Sequence, residues 1–167
     1  MTLSEYNQLS KQEATQAILP TNGSRQWAQL MTAQRPYLTE DDLFAAADRL
    51  WRDLPEADQQ EAFDSHPRIG ERHAHKRATN QSLQWSQQEQ TLSEEETTRQ
   101  ALVEANLQYE KRFGRIFIVC ASGKSQEQML AILQHRLQND AQSEREETAE
   151  QQRQITQLRL RKWLSRP

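Results

Sequence analysis

The chain has one cysteine, Cys120, so no disulfide can form within it, and such sparing use of thiols suits a reducing compartment. Long apolar runs are missing too. None approaches the roughly 20 residues of a membrane-spanning helix, and the N-terminus lacks the apolar stretch of a secretory leader. Ser165-Arg166-Pro167 is not the peroxisomal tripeptide, which leaves the cytoplasm as the expected compartment. Glycine and proline, at 4 and 5 residues, are too few for a loop-rich fold. Nor does one sign of charge dominate. The net charge of −3 gives no reason to expect nucleic acid or a membrane surface as a partner.

What remains is a 167-residue chain, 35% apolar, in which glutamine, glutamate and arginine fill much of the rest. That is the profile of a helical protein with large solvated faces, and the length suffices for one domain with a closed core. The expected fold is all-α: a single-domain multi-helix bundle over residues 1–167 with one buried extended connection.

The pattern along the chain gives the elements. Residues 3–18 read as a helix with Leu3, Tyr6, Leu9 and Ile18 on its apolar side, broken by Pro20-Thr21-Asn22-Gly23. Ser24 caps a segment carrying Trp27, Leu30 and Met31 that ends before Pro36. Thr39 followed by Glu40, Asp41 and Asp42 starts an amphipathic helix bearing Leu43, Phe44, Ala47, Leu50, Trp51 and Leu54. Pro55 to Phe63 forms one more short helix, and residues 71–92 are polar with no clear period. Ser93 and Glu96 make a capping box for a helix whose one face carries Leu102, Asn106, Tyr109 and Phe113, stopped by Gly114. Ile116 to Cys120 is a lone β-prone run, which cannot form a sheet and reads as a buried connection. Ser125 with Gln128 opens a helix carrying Met129, Ile132, Leu133 and Leu137 that ends near Asn139, and a last helix spans about Ala141 to Leu164.

Several constellations bear on chemistry. His66 stands directly before Pro67, which pushes it away from helical geometry and stiffens the corner it occupies. An imidazole so placed is a candidate acid or base; it can equally cap a helix end. His66, Glu71, His73 and His75 offer zinc-ligand atoms, but the spacing does not impose tetrahedral geometry and Arg68, Arg72, Lys76 and Arg77 would repel a dication, so no metal is expected. His73, His75 and His135 read as solvated residues. Gly123-Lys124-Ser125 resembles a phosphate loop, except that Ile118 stands where its first glycine belongs. Cys120, flanked by Ile118, Val119 and Ala121, reads as a small core residue rather than a nucleophile. Ile155, Arg159 and Trp163 share one helical stripe, so Arg159 either points inward toward an anion or runs its stem along the core edge to water. Ser86-Gln87-Gln88-Glu89-Gln90 sets a hydroxyl, a carboxylate and an amide on one helical face, which by itself also fits a solvated surface.

Taken in order, His66-Pro67, the Ser86-x-x-Glu89-Gln90 segment, Arg112-Phe113-Gly114 leading into Phe117 to Cys120, His135-Arg136-Leu137-Gln138-Asn139-Asp140 and Leu158-Arg159-Leu160 resemble the OHCU decarboxylase family. Ser24-Arg25-Gln26-Trp27 and Arg35-Pro36 extend the resemblance over almost the whole chain. One departure is Gly114-Arg115-Ile116-Phe117, where the family usually has Gly-Phe-Pro-Phe. The resemblance implies an all-α, cofactor-free carboxy-lyase of urate breakdown. Such an enzyme decarboxylates 2-oxo-4-hydroxy-4-carboxy-5-ureidoimidazoline to (S)-allantoin. It assigns catalysis to His66, Glu89 and Arg159. Substrate contacts fall to Pro67, Ser86, Gln87, Gln88 and Gln90 and to the run Phe117, Ile118, Val119, Cys120 and Ala121. The implied partner is a small ureidoimidazoline, and a homodimer is compatible with the family. The rival readings are a related lyase or hydrolase on another ureido compound and a non-catalytic helical interaction module.

Overall fold

The computed structural model describes residues 1–69 and 96–165. Their regular structure is all α-helical, as expected, in eight helices: α1 (Leu3–Gln8), α2 (Lys11–Asn22), α3 (Arg25–Ala33), α4 (Glu40–Arg52), α5 (Glu56–Asp64), α6 (Glu96–Phe113), α7 (Gln126–Arg136) and α8 (Ala141–Leu164). The chain packs as two compact units, Met1–Ala62 with Arg153–Pro167, and Phe63–Gln152. The helices α5 and α8 each contribute to both.

In the first unit the N-terminal helix read from the apolar spacing is in fact two. Ser10 accepts from the Glu13 amide while the Glu13 carboxylate takes the Ser10 N–H, and this reciprocal box starts α2 afresh. The expected break at Pro20 does not occur either, because Pro20 lies within the last turns of α2 and the helix runs on to Asn22. The stop is Gly23, which takes φ 100°, a left-handed conformation suited to glycine. Ser24 and Thr39 cap α3 and α4 as predicted. Trp27 is fully buried and donates its indole N–H to the Ala47 carbonyl at 3.1 Å. The last turns of α8 join this unit through Asn22 to Thr156 at 3.0 Å and the Trp163 ring edge against Tyr6 at 5.2 Å.

In the second unit α6 packs on α7 around Leu102, Ala105, Tyr109, Phe117, Val119, Ala121, Met129 and Leu133. The face read from the sequence is the buried one, and Gly114 at φ 72° ends α6. Residues 117–121, expected to be extended, have no regular secondary structure and are buried except for Cys120. Beside this core lies a buried ion pair. Arg136 is 3% exposed and Glu144 fully enclosed, with Nη2 to Oε1 at 2.5 Å. Arg136 also donates to the Ile118 carbonyl and to Thr148 Oγ1, the latter at 3.2 Å, and its guanidinium lies 4.6 Å from the Phe117 ring centre. Glu144 further accepts from the Tyr109 hydroxyl at 2.5 Å and from Asn139 Nδ2 at 3.0 Å.

Substituting Arg136→Met strands the Glu144 carboxylate without its cation, and the expected loss is about 3–5 kcal/mol of stability in urea unfolding. The double variant Arg136→Met/Glu144→Leu should recover part of that loss. Burial, reinforced by the hydrogen bond to Glu144, pushes the Tyr109 phenol up to about 12. The folded value lies above the unfolded one of about 10, so the stability from this group is complete below about pH 10 and is lost as pH rises toward the folded value. Comparing unfolding at about pH 9 and about pH 11, Tyr109→Phe should lose less stability than the wild type. Tyr6 and Tyr37, both raised mainly by burial, keep part of the alkaline loss in the variant.

Candidate active site

Helix α5 ends at Asp64, and its exit turn closes with the His66 N–H on the Phe63 carbonyl at 3.3 Å. Pro67 has no N–H to extend the helix and restricts the residue before it, so the chain turns at His66. The imidazole is 6% exposed, and its Nε2 lies 2.6 Å from Oε1 of the fully buried Gln152 on α8. The two residues after Pro67 are tied to α6. Arg68 forms an ion pair with Glu110, and Asn106 Nδ2 donates to the Ile69 carbonyl at 3.2 Å. Ile69 itself enters the core. The corner is thus held from α5, α6 and α8, and His66 reads as an oriented, largely desolvated imidazole.

The extended run is held by the same helix. Alternate residues of an extended chain point to opposite sides, and Phe117, Val119 and Ala121 take the core side. Two of the run's main-chain groups are held by side chains: Arg136 donates to the Ile118 carbonyl, and the Cys120 N–H donates to Gln151 Oε1 at 2.8 Å. Cys120 is half-buried, not the core residue expected from its apolar neighbours, although Ile118, Val119 and Ala121 around it are buried. The N–H and C=O of Val119, a residue only 6% exposed, bond to no described residue.

Arg159 is fully buried and Ile155 and Trp163 on its stripe are buried beside it, and this burial removes the alternative in which it reaches water. The phosphate-loop reading falls away: Lys124 Nζ donates to the Cys120 carbonyl at 2.8 Å, and Ser125 caps α7 by accepting the Gln128 N–H at 3.1 Å. His135 is exposed, as expected. The expectations for Ser86, Gln87, Gln88, Glu89 and Gln90, for Glu71, His73 and His75, and for the Ser93 cap lie outside the described residues.

Sequence reasoning missed Gln151, Gln152, Arg136 and Glu144. A faint signal existed, since Glu144, Thr148, Gln152 and Thr156 recur every four residues, and all four are buried. A polar stripe of that kind reads as solvated until its partners are known.

The two tethers of the corner should differ in weight. Arg68→Ala removes a partly exposed pair and should change stability by less than about 1 kcal/mol. Asn106→Leu deprives the buried Ile69 carbonyl of its donor and should cost about 1–3 kcal/mol in the same urea titration.

Comparison with known proteins bears on this arrangement. A family model described as OHCU decarboxylase matches residues 7–161. The uric acid degradation bifunctional protein TTL of Arabidopsis thaliana is 32% identical over 151 residues, covering 86% of this chain and 45% of that protein. The 2-oxo-4-hydroxy-4-carboxy-5-ureidoimidazoline decarboxylase of Amia calva is 31% identical over 127 residues, 75% of this chain and 73% of that one. The chain thus spans less than half the length of the first relative and about three quarters of the second. A crystal structure of OHCU decarboxylase in the presence of (S)-allantoin matches with a TM-score of 0.74 at 32% identity, covering 89% of this chain and 96% of that chain. The family match takes in the His66 corner, the extended run and Arg159 together, and the chain belongs to the OHCU decarboxylase family.

Proposed function

We propose that the chain decarboxylates 2-oxo-4-hydroxy-4-carboxy-5-ureidoimidazoline to (S)-allantoin without a cofactor. One observation carries this reading beyond family membership. Consecutive residues of α8, Gln151 and Gln152, hold the Cys120 amide of the extended run and the His66 imidazole, at 2.8 and 2.6 Å. A main-chain edge able to bind a planar ring and an oriented proton carrier are what such a substrate needs.

In the reaction the bond from C4 to its carboxylate breaks and CO₂ leaves. The electron pair moves into the adjacent C5=N imine, so the ring itself takes up the charge. The 4-hydroxyl then becomes the carbonyl of allantoin as a proton is added at C5, and the face of addition sets the S centre. Donors placed where the charge develops lower the barrier. In this reading Arg159 and the main chain of Phe117–Ala121 hold the anionic and ring polar atoms. Glu89 accepts from the hydroxyl or a ureido N–H, and Ser86 and Gln90 orient the ureido arm. Gln87 and Gln88 border it, Pro67 lines the site, and His66 supplies or relays the proton. A homodimer and a cytoplasmic location belong to the same reading; among the described residues no helix is long and apolar enough to cross a membrane.

The test is stereochemical. Purified protein added to urate undergoing enzymatic oxidation should raise the circular dichroism signal of (S)-allantoin above the racemic background, and racemic product at the spontaneous rate refutes the proposal. His66→Ala should lower the rate about 10²–10⁴-fold with the helical spectrum unchanged. Glu89→Ala and Arg159→Met should also abolish the acceleration, and full activity in any of the three removes that residue from the mechanism.

A further inference from the structure

On α8, Gln142 donates to Glu146 at 2.8 Å on the exposed surface, an ordinary contact between residues four apart on a helix face. Gln151 and Glu147 have the same spacing but are partly buried, and their contact does not end with the pair. Gln151 Nε2 donates to Glu147 Oε1 at 2.9 Å, and Gln151 Oε1 takes the Cys120 N–H at 2.8 Å. A carboxylate only accepts and a main-chain N–H only donates. Of the two orientations of the Gln151 carboxamide, one therefore makes both bonds and the other makes neither. Glu147 thus holds Gln151 in the orientation that the Cys120 amide needs.

The other main-chain group of Cys120 is also held, because Lys124 Nζ donates to its carbonyl at 2.8 Å. Cys120 is gripped on one side from α8 and on the other from the residue before the Ser125 cap of α7. A main-chain N–H has one proton to give, and here the protein takes it. We propose that Glu147 and Gln151 form a positioning relay that anchors the run of residues 117–121 at the Cys120 amide and so holds the neighbouring main chain in place for the substrate. The substrate part of this statement rests on the decarboxylase reading above.

An isosteric change separates this role from packing. Gln151→Glu keeps the size of the side chain and an acceptor for Cys120, but it sets a second carboxylate against Glu147. The swap Glu147→Gln/Gln151→Glu places the amide at 147 and the carboxylate at 151. Both hydrogen bonds can then form again, at the net charge of the wild type.

Cys120 is the single cysteine of the chain, so ¹⁵N-cysteine labelling yields one main-chain amide signal, and its exchange in D₂O reads the anchor directly. The wild-type amide should be protected. Gln151→Glu and Gln151→Leu should each raise its exchange rate about fivefold or more and the KM for the ureidoimidazoline by a similar factor, with kcat changed less than about twofold. The swap should bring exchange and KM back toward the wild type, and Glu146→Leu, which removes the exposed pair, should change neither. An unprotected Cys120 amide in the wild type overturns the proposal, and that measurement needs no variant to fold. So does a Gln151→Glu protein with wild-type exchange and KM, or a swap that restores neither. Exchange that follows the series while KM does not overturns the role toward substrate. Exchange that follows the series in a protein whose wild type does not accelerate allantoin formation overturns the decarboxylase reading, while the anchor stands.

Discussion

The buried pair of Arg136 and Glu144 is the constraint on which the second unit depends. Isolated, either charge would be too costly to enclose; together they are tolerable only because every remaining donor and acceptor is engaged. Arg136 spends its guanidinium on Glu144, Thr148 and the Ile118 carbonyl while lying against the Phe117 ring. Glu144 in turn takes the Tyr109 hydroxyl and the Asn139 amide. Through this one cluster α6, α7, α8 and the run of residues 117–121 are joined, with Arg136 on the Ile118 carbonyl and Gln151 on the Cys120 amide standing in for a neighbouring strand.

The same logic makes α8 the organising helix. A helix so rich in glutamine and glutamate would ordinarily lie on the surface. Here its buried polar residues each meet a specific partner, and low local dielectric strengthens such bonds once all are made. Gln151 and Gln152 extend the cluster toward the chemistry, one holding a backbone amide and the other an imidazole. Side chains fixed in this way are preorganised, so little reorganisation is needed when charge develops on a bound molecule.

Membership of the OHCU decarboxylase family places these features in a chemical context. The second unit contributes a stiff histidine corner held by Gln152, and the first a fully buried arginine on α8.

Helix identities were legible wherever a local rule sufficed: the caps at Ser24, Thr39 and Ser125, the apolar face of α6 and the stop at Gly114 all depend on neighbours within a turn or two. The split between α1 and α2 was legible in principle, since the box of Ser10 and Glu13 competes with an apolar period that runs straight through it. The histidine corner and the inward arginine were also marked, because proline geometry and a shared stripe with Ile155 and Trp163 are local facts. The half-burial of Cys120, the partners of Arg136 and the choice of Gln152 to orient His66 were not. The sequence by itself determined where helices start, where they stop and which residues could do chemistry. Only the tertiary structure decided which polar residues are buried, because a polar side chain can leave water only when a partner distant in sequence replaces its hydrogen bonds.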